Sequence, residues 1–279
     1  MQCVTVVSTR GVQLAVHELG GSGPTLLISH ATGFHGRCYV PLAHCLADRF
    51  HCIAFDYRGH GDTAKPHGEH IDWRHYGEDA EAMARSLETP VAAFGHSMGG
   101  ASLLMAAHRD PSLFSHLVLY EPIVFPPQGI RPPGDGPSPM VEGAKRRRAS
   151  FPSYEAAIAN YASKPPFDSF TPESLEAYVR FGFSQDDIGH VHLKCRPETE
   201  ARTFEMSGHH NTWDVLPDIR VPVLVVAGQT LPMQPSAISQ AIAERLPNGT
   251  YLQLDELDHF GPMTHPAVTA QIIIDALAG

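Results

Sequence analysis

The stretch Val91-Ala92-Ala93-Phe94-Gly95-His96-Ser97-Met98-Gly99-Gly100 decides the fold. A short apolar run, of the kind buried on both faces of a sheet, ends in G-x-S-x-G. A helical segment, 99–109, begins at once. The serine between them must sit on a turn too sharp for ordinary side chains, and Gly95 and Gly99 leave room where strand and helix backbones nearly touch. Such a turn presents the Ser97 hydroxyl at the carboxyl edge of the sheet. It also aims the Met98 N–H, at the helix start, into the same space. The five-letter pattern alone is weak, but its strand–turn–helix setting makes Ser97 a candidate nucleophile.

Working outward, the first 18 residues alternate around Arg10–Gly11, which predicts a β-hairpin. Segments 25–29, 52–55, 91–94, 117–120, 223–227 and 251–254 are short, nearly continuous apolar runs that suit parallel strands covered by helices. Between them lie helical patterns at 73–87, 99–109, 236–246 and 267–277, the first with Tyr76, Ala80, Met83, Ala84 and Leu87 on one face. Strand and helix alternating after an antiparallel opening means an α/β sheet. No internal repeat is visible.

One segment interrupts the alternation. Residues 122–213 show no convincing strand, open with 7 of the 24 prolines in 122–139, and hold 7 of the 13 phenylalanines. Helix signals appear at 154–162 behind Ser153 and at 172–181 behind Thr171, with Pro172 at the first helical position. The segment reads as a helical insertion, a lid on a core made of 1–121 and 214–279.

The composition narrows the function. With 279 residues and 43% hydrophobic content the chain can bury a core without disulfide or metal staples. A net charge of −10 argues against nucleic acid as a partner. No apolar run reaches the length of about 18 residues that a membrane span needs. The start lacks the basic end and apolar run of a signal peptide, and five cysteines without CxxC spacing (Cys3, Cys38, Cys45, Cys52, Cys195) read as reduced, mostly buried thiols. A cytoplasmic protein is expected. Whether it acts alone or as a homodimer is left open. The basic run Lys145–Arg148 reads as a solvated helix face. The pairs His209–His210 and His190-x-His192 lack the companions of a zinc site, so no metal is expected.

A serine hydroxyl needs a base. The segment Leu254-Asp255-Glu256-Leu257-Asp258-His259-Phe260-Gly261 supplies His259 in a loop after the last strand, beside the edge where Ser97 lies.

With these motifs the sequence resembles the α/β-hydrolase superfamily over nearly its whole length. Besides Gly95–Gly100, it has Ser29-His30-Ala31-Thr32-Gly33-Phe34, similar to the family's oxyanion loop, and Phe55-Asp56-Tyr57-Arg58-Gly59-His60-Gly61-Asp62, similar to its D-x-R-G-x-G segment. Ala31 and Asp258 stand where the family usually has glycine. The resemblance implies an oxyanion hole from the N–H groups of Thr32 and Met98. It implies structural roles for His30, Asp56 and Arg58, and no cofactor.

The acid breaks the pattern. Many family members carry Asp about three residues past the glycine that ends the penultimate strand, and here Leu231 stands there. A leucine cannot orient an imidazole. A minority place the acid one strand earlier, where Glu121 ends the run Leu117-Val118-Leu119-Tyr120. Asp214, Asp255 and Asp258 fall at no central strand end and are poorer candidates. The expectation is a serine hydrolase with Ser97, Glu121 and His259, acting on an ester or lactone of a small hydrophobic substrate. The same pair also serves cofactor-free C–C hydrolysis, perhydrolysis and acyl transfer, and Leu231 keeps a non-catalytic ligand-binding module in view.

Overall fold

The computed structural model describes residues 4–66, 68–127, 129 and 138–278. Cys3 and half of the proline-rich stretch 122–139 lie outside these residues. The predicted hairpin is present: β1 (Val4–Val7) pairs antiparallel with β2 (Gln13–Gly20). Then follow β3 (Thr25–Ser29), β4 (His51–Phe55), β5 (Val91–His96) and β6 (Phe114–Tyr120). The segment after β6 holds β7 (Ser150–Phe151), β8 (Phe183–Gln185) and β9 (Val191–Leu193), and the chain ends with β10 (Val223–Ala227) and β11 (Gly249–Gln253).

The main sheet runs β1-β2-β4-β3-β5-β6-β10-β11, with β1, β2 and β4 joined antiparallel and β4 to β11 parallel. The order puts β5, the strand of the G-x-S-x-G turn, between β3 and β6, and sets β10 on the other side of β6. The strand sequences are apolar because both faces are covered. Helices Trp73–Arg85, Met98–Arg109 and Ser236–Arg245 bury Tyr76, Met83, Leu103, Leu104 and Ile242 against one face. Helices Val40–Leu46 and Pro266–Leu277 bury Leu42, Leu46 and Ile273 against the other. Asp72 starts the helix Trp73–Arg85 by accepting the Arg74 N–H at 2.9 Å, a cap whose loss costs about 1 kcal/mol. None of the described helices is long and apolar enough to cross a membrane.

Between β6 and β10 the chain is mainly helical, with helices Pro139–Lys145, Tyr154–Ala162, Pro172–Gly182 and Pro197–Glu205. The expected caps form: Ser153 Oγ accepts the Ala156 N–H at 3.2 Å, and Thr171 Oγ1 accepts the Ser174 N–H at 3.1 Å. The expectation of no strand here is corrected. β7, β9 and β8 make a separate antiparallel sheet in that order. At two or three residues each, they are too short for a period of two to show in the sequence.

Candidate active site

β5 delivers the chain into Ser97 at φ +57°, ψ −115°, outside the regions that side chains other than glycine favour. The turn is as crowded as its glycines imply. A Cβ on Gly95 would lie 2.7 Å from Gly100 Cα, and one on Gly99 would lie 2.1 Å from the Ser29 carbonyl oxygen. The strain is held from the neighbouring strand, where Tyr120 O accepts the Ser97 N–H at 2.9 Å.

Glu121 leaves the end of β6 with its own positive φ of +44°. Its N–H donates to Val226 O at 2.9 Å, and its Oε1 accepts the Gly228 N–H, also at 2.9 Å. The other oxygen, Oε2, lies 2.6 Å from His259 Nδ1. A carboxylate only accepts, so Nδ1 carries the proton and Nε2 is left as the acceptor facing Ser97 Oγ at 3.2 Å. Glu121 is 1% exposed, and its charge therefore acts on the imidazole without intervening water. Leu231 lies in the exposed loop beyond β10, its N–H bonded to Ser236 Oγ at 3.3 Å.

Two backbone amides are expected to form an oxyanion hole, those of Thr32 and Met98. In the loop after β3, the Ala31 N–H donates to Tyr39 Oη at 3.2 Å and the Phe34 N–H to Ala31 O at 3.1 Å. The Thr32 N–H has no acceptor among the described residues, and Met98, first in its helix, has no intrahelical acceptor. Thr32 and Ser97 line the same cavity. His30 braces this loop: Nδ1–H donates to Ala31 O at 2.8 Å and Nε2 accepts the Tyr57 N–H at 3.0 Å. Burial, with help from His60, pulls its pKa down to about 3, so it stays neutral. Asp56 is a brace as well, accepting from Gly36 N–H and Asp62 N–H at 2.7 Å each and contacting His17 at 2.8 Å. His17, Asp56 and Asp62 cluster closely enough to suggest a metal site, but Asp56 has committed both oxygens to N–H donors. Arg58 is buried on Asp79 at 2.6 Å and Glu69 at 2.6 Å.

His96 is a site residue that the sequence reading passed over. Its Nε2–H donates to the His259 carbonyl at 2.8 Å, and its Nδ1 accepts from Tyr39 Oη at 2.8 Å. One string of bonds thus joins the Ala31 loop, the elbow and the histidine loop. Burial beside His259 holds His96 well below the ordinary histidine range, hence neutral. The signal was a polar residue inside a fully buried run.

In front of Ser97 and His259 lies a cavity of about 580 Å³. Its aromatic side is Phe34 and Phe260 from the motif loops with Phe167 and Tyr178 from the 122–213 segment; Phe34 and Tyr178 rings sit 5.2 Å apart. The same lining includes Arg146, Arg147, Arg148 and Lys164. The reading of Lys145–Arg148 as a solvated helix face holds in part: Lys145, Arg146 and Arg148 are exposed, but the helix stops at Lys145, and the three arginines that follow line the cavity.

A family model described as alpha/beta hydrolase family matches residues 26–272. The chain belongs to the alpha/beta hydrolase family. The chain is 25% identical over 266 residues to 2-(acetamidomethylene)succinate hydrolase of Mesorhizobium japonicum, spanning 94% of this chain and 90% of that one. It is 26% identical over 266 residues to pimeloyl-[acyl-carrier protein] methyl ester esterase of Methylococcus capsulatus, covering 94% and 97%. Among solved structures, an E-2-(acetamidomethylene)succinate hydrolase superposes with a TM-score of 0.78 at 24% identity, covering 99% of both chains. The matched relatives are hydrolases. In this alpha/beta hydrolase the unusual Asp258 before the histidine has a local use, since its Oδ1 accepts the Phe260 N–H at 2.8 Å while its carbonyl accepts from Tyr120 Oη at 2.7 Å.

Proposed function

We propose that this chain is a serine hydrolase that cleaves an ester, lactone or related acyl bond of a small substrate. The observation that carries the proposal is the unbroken line from Glu121 Oε2 through the His259 ring to Ser97 Oγ, with contacts of 2.6 and 3.2 Å. In this reading Ser97 attacks the acyl carbon as His259 Nε2 takes its proton. Glu121 fixes the tautomer and stabilises the imidazolium. The Thr32 and Met98 N–H groups receive the developing oxyanion. His259 returns the proton to the leaving group, then draws one from water to release the acid. Residues 122–213 act as the lid, and its aromatic rings hold the apolar part of the substrate.

The names of the relatives, a succinate-derivative hydrolase and a methyl ester esterase, support acyl-bond hydrolysis. A ligand-binding module was kept in view only by Leu231, and the carboxylate of Glu121 at the ring nitrogen weighs against it. The test is covalent labelling by a fluorophosphonate probe with turnover of a panel of p-nitrophenyl esters, lactones and vinylogous diketones. Labelling that Ser97→Ala abolishes, with folding intact, supports the reading; ester turnover unchanged in Ser97→Ala ends it. Turnover of the diketones alone would assign C–C hydrolysis instead.

A further inference from the structure

The three arginines in a row, Arg146, Arg147 and Arg148, do not have equal surroundings. Arg147 is neutralised: its guanidinium pairs with Glu200 at 2.5 Å and donates to Tyr161 Oη at 2.9 Å and to Tyr178 Oη. Its side chain is 13% exposed and that of Glu200 is 9% exposed. Tyr178 Oη in turn reaches Gly33 O at 3.4 Å, so Arg147 holds the inserted segment against the Thr32 loop. It is part of the wall.

Its neighbours differ. Arg146 and Arg148 are exposed, and neither has a carboxylate partner among the described residues. Arg148 donates Nε–H to Ser150 O at 2.8 Å and stacks 4.5 Å over the Phe151 ring, which leaves the rest of its fork open. Among the described residues Lys164 Nζ is bonded only to Asn160 Oδ1, at 2.7 Å. All three line the cavity that holds Ser97 and His259, and the single acidic side chain among the described residues that line it, Glu200, is already matched by Arg147. A chain of net charge −10 with 20 Lys and Arg in all thus gathers around one small space three cations that have no ion pair among the described residues. Like charges gathered without counter-charges repel one another, and an anionic ligand relieves that repulsion.

We propose that the substrate carries a carboxylate at the end of its acyl or leaving group, bound by Arg146 and Arg148 with Lys164 beside them, while the aromatic wall packs its carbon chain. The guanidinium fork matches the two oxygens of a carboxylate, and a charge-assisted bond of this kind separates a charged substrate from a neutral isostere. The proposal deepens the hydrolase reading above and rests on it for the position of the scissile bond. It replaces the expectation of a wholly hydrophobic substrate.

The test compares mono-p-nitrophenyl glutarate with p-nitrophenyl hexanoate, in which an ethyl group replaces the carboxylate. The expected kcat/KM ratio favours the glutarate ester by about 10-fold or more. In Arg146→Ala and Arg148→Ala, and further in the double variant, the ratio falls toward one, whereas Arg74→Ala, at an exposed arginine that does not line the cavity, leaves it unchanged. A wild-type ratio at or below one overturns the proposal, as does an equal loss on both esters in the arginine variants. Glutarate binding to Ser97→Ala, measured by calorimetry against hexanoate and inorganic phosphate, separates the two readings. Glutarate bound best and lost in the double variant supports the anion site even if no ester is turned over. No glutarate binding, or phosphate binding more tightly, overturns it even where fluorophosphonate labels Ser97.

Discussion

Glu121 and Gly228 are joined across two adjacent parallel strands: the carboxylate leaves the end of β6 and accepts the N–H that follows β10, at 2.9 Å. The family's more common acid would hang from the loop beyond Gly228. Here the carboxylate arrives at the same ring nitrogen from the neighbouring strand, tied down by that strand's backbone.

The first prediction concerns this carboxylate. Loss of the orienting acid of such a triad costs about 10⁴ in turnover. Glu121→Gln is therefore expected to lose ester turnover on that scale, while Asp258→Asn, which disturbs only a local bond to the Phe260 N–H, loses far less. Steady-state kinetics on both variants decide it. Near-normal activity in Glu121→Gln would remove Glu121 from the mechanism.

His96 is expected to position and not to react. Replacing it by alanine leaves the buried Tyr39 O–H without an acceptor and the His259 carbonyl without its donor, at about 1–3 kcal/mol for each group. The expected outcome is a lower kcat with KM little changed, and a lower thermal midpoint. A variant with wild-type kcat would show that the histidine loop holds itself.

Gly99→Ala probes the elbow. A methyl group 2.1 Å from the Ser29 carbonyl must push β3 and the helix apart, and the helix is buried from Met98 to Ala107. Loss of soluble protein, or of fluorophosphonate labelling in what remains, is expected. Full labelling of a stable Gly99→Ala would mean that the strand–helix contact yields easily.

Acid should destabilise the fold steeply. Burial, with help from His60, lowers His30 to about 3, and burial lowers His35 and His60 to about 4 each. Unfolded histidines titrate near pH 6.5. Below that value the unfolded chain takes up protons that the folded chain refuses, so stability present above about pH 6.5 is lost as pH falls toward the folded values. Each ring contributes a slope of about 1.4 kcal/mol per pH unit in that window. Urea-unfolding curves across the window measure it. A stability independent of pH between about 6 and 5 would show that these rings are hydrated or protonated in the folded state.

The main sheet was legible because both-face burial writes itself as continuous apolar runs: segment 223–227 in the sequence is β10 residue for residue. Ser97 and His259 were legible because each needs a local signature, a glycine-flanked turn and a histidine after the last strand. Glu121 required a spatial argument, that β6 lies beside β5, and the pairing of Gly95 with Leu119 bears that adjacency out. The arginines were not legible. A run of cations reads the same on a solvated helix as on a cavity wall, and only the end of the helix at Lys145 and the pairing of Arg147 with Glu200 distinguish the two. Three-residue strands such as β9 leave no pattern to read at all.

The loop beyond β10 carries exposed Leu231 and Met233 and no member of the proposed triad. Where an acid hangs from such a loop, any change in its length swings the carboxylate away from the histidine. Here the carboxylate is anchored on β6 and takes only the Gly228 N–H from the loop's first step. Gln229 still ties the start of the loop to the histidine loop through Leu257 O at 2.7 Å, but residues 230–234 can be lengthened, exchanged for a peptide epitope, or opened as new chain ends in a circular permutation, with the acid still in register. A protein engineer would find in that loop an attachment point close to the active site that carries none of the proposed reacting groups.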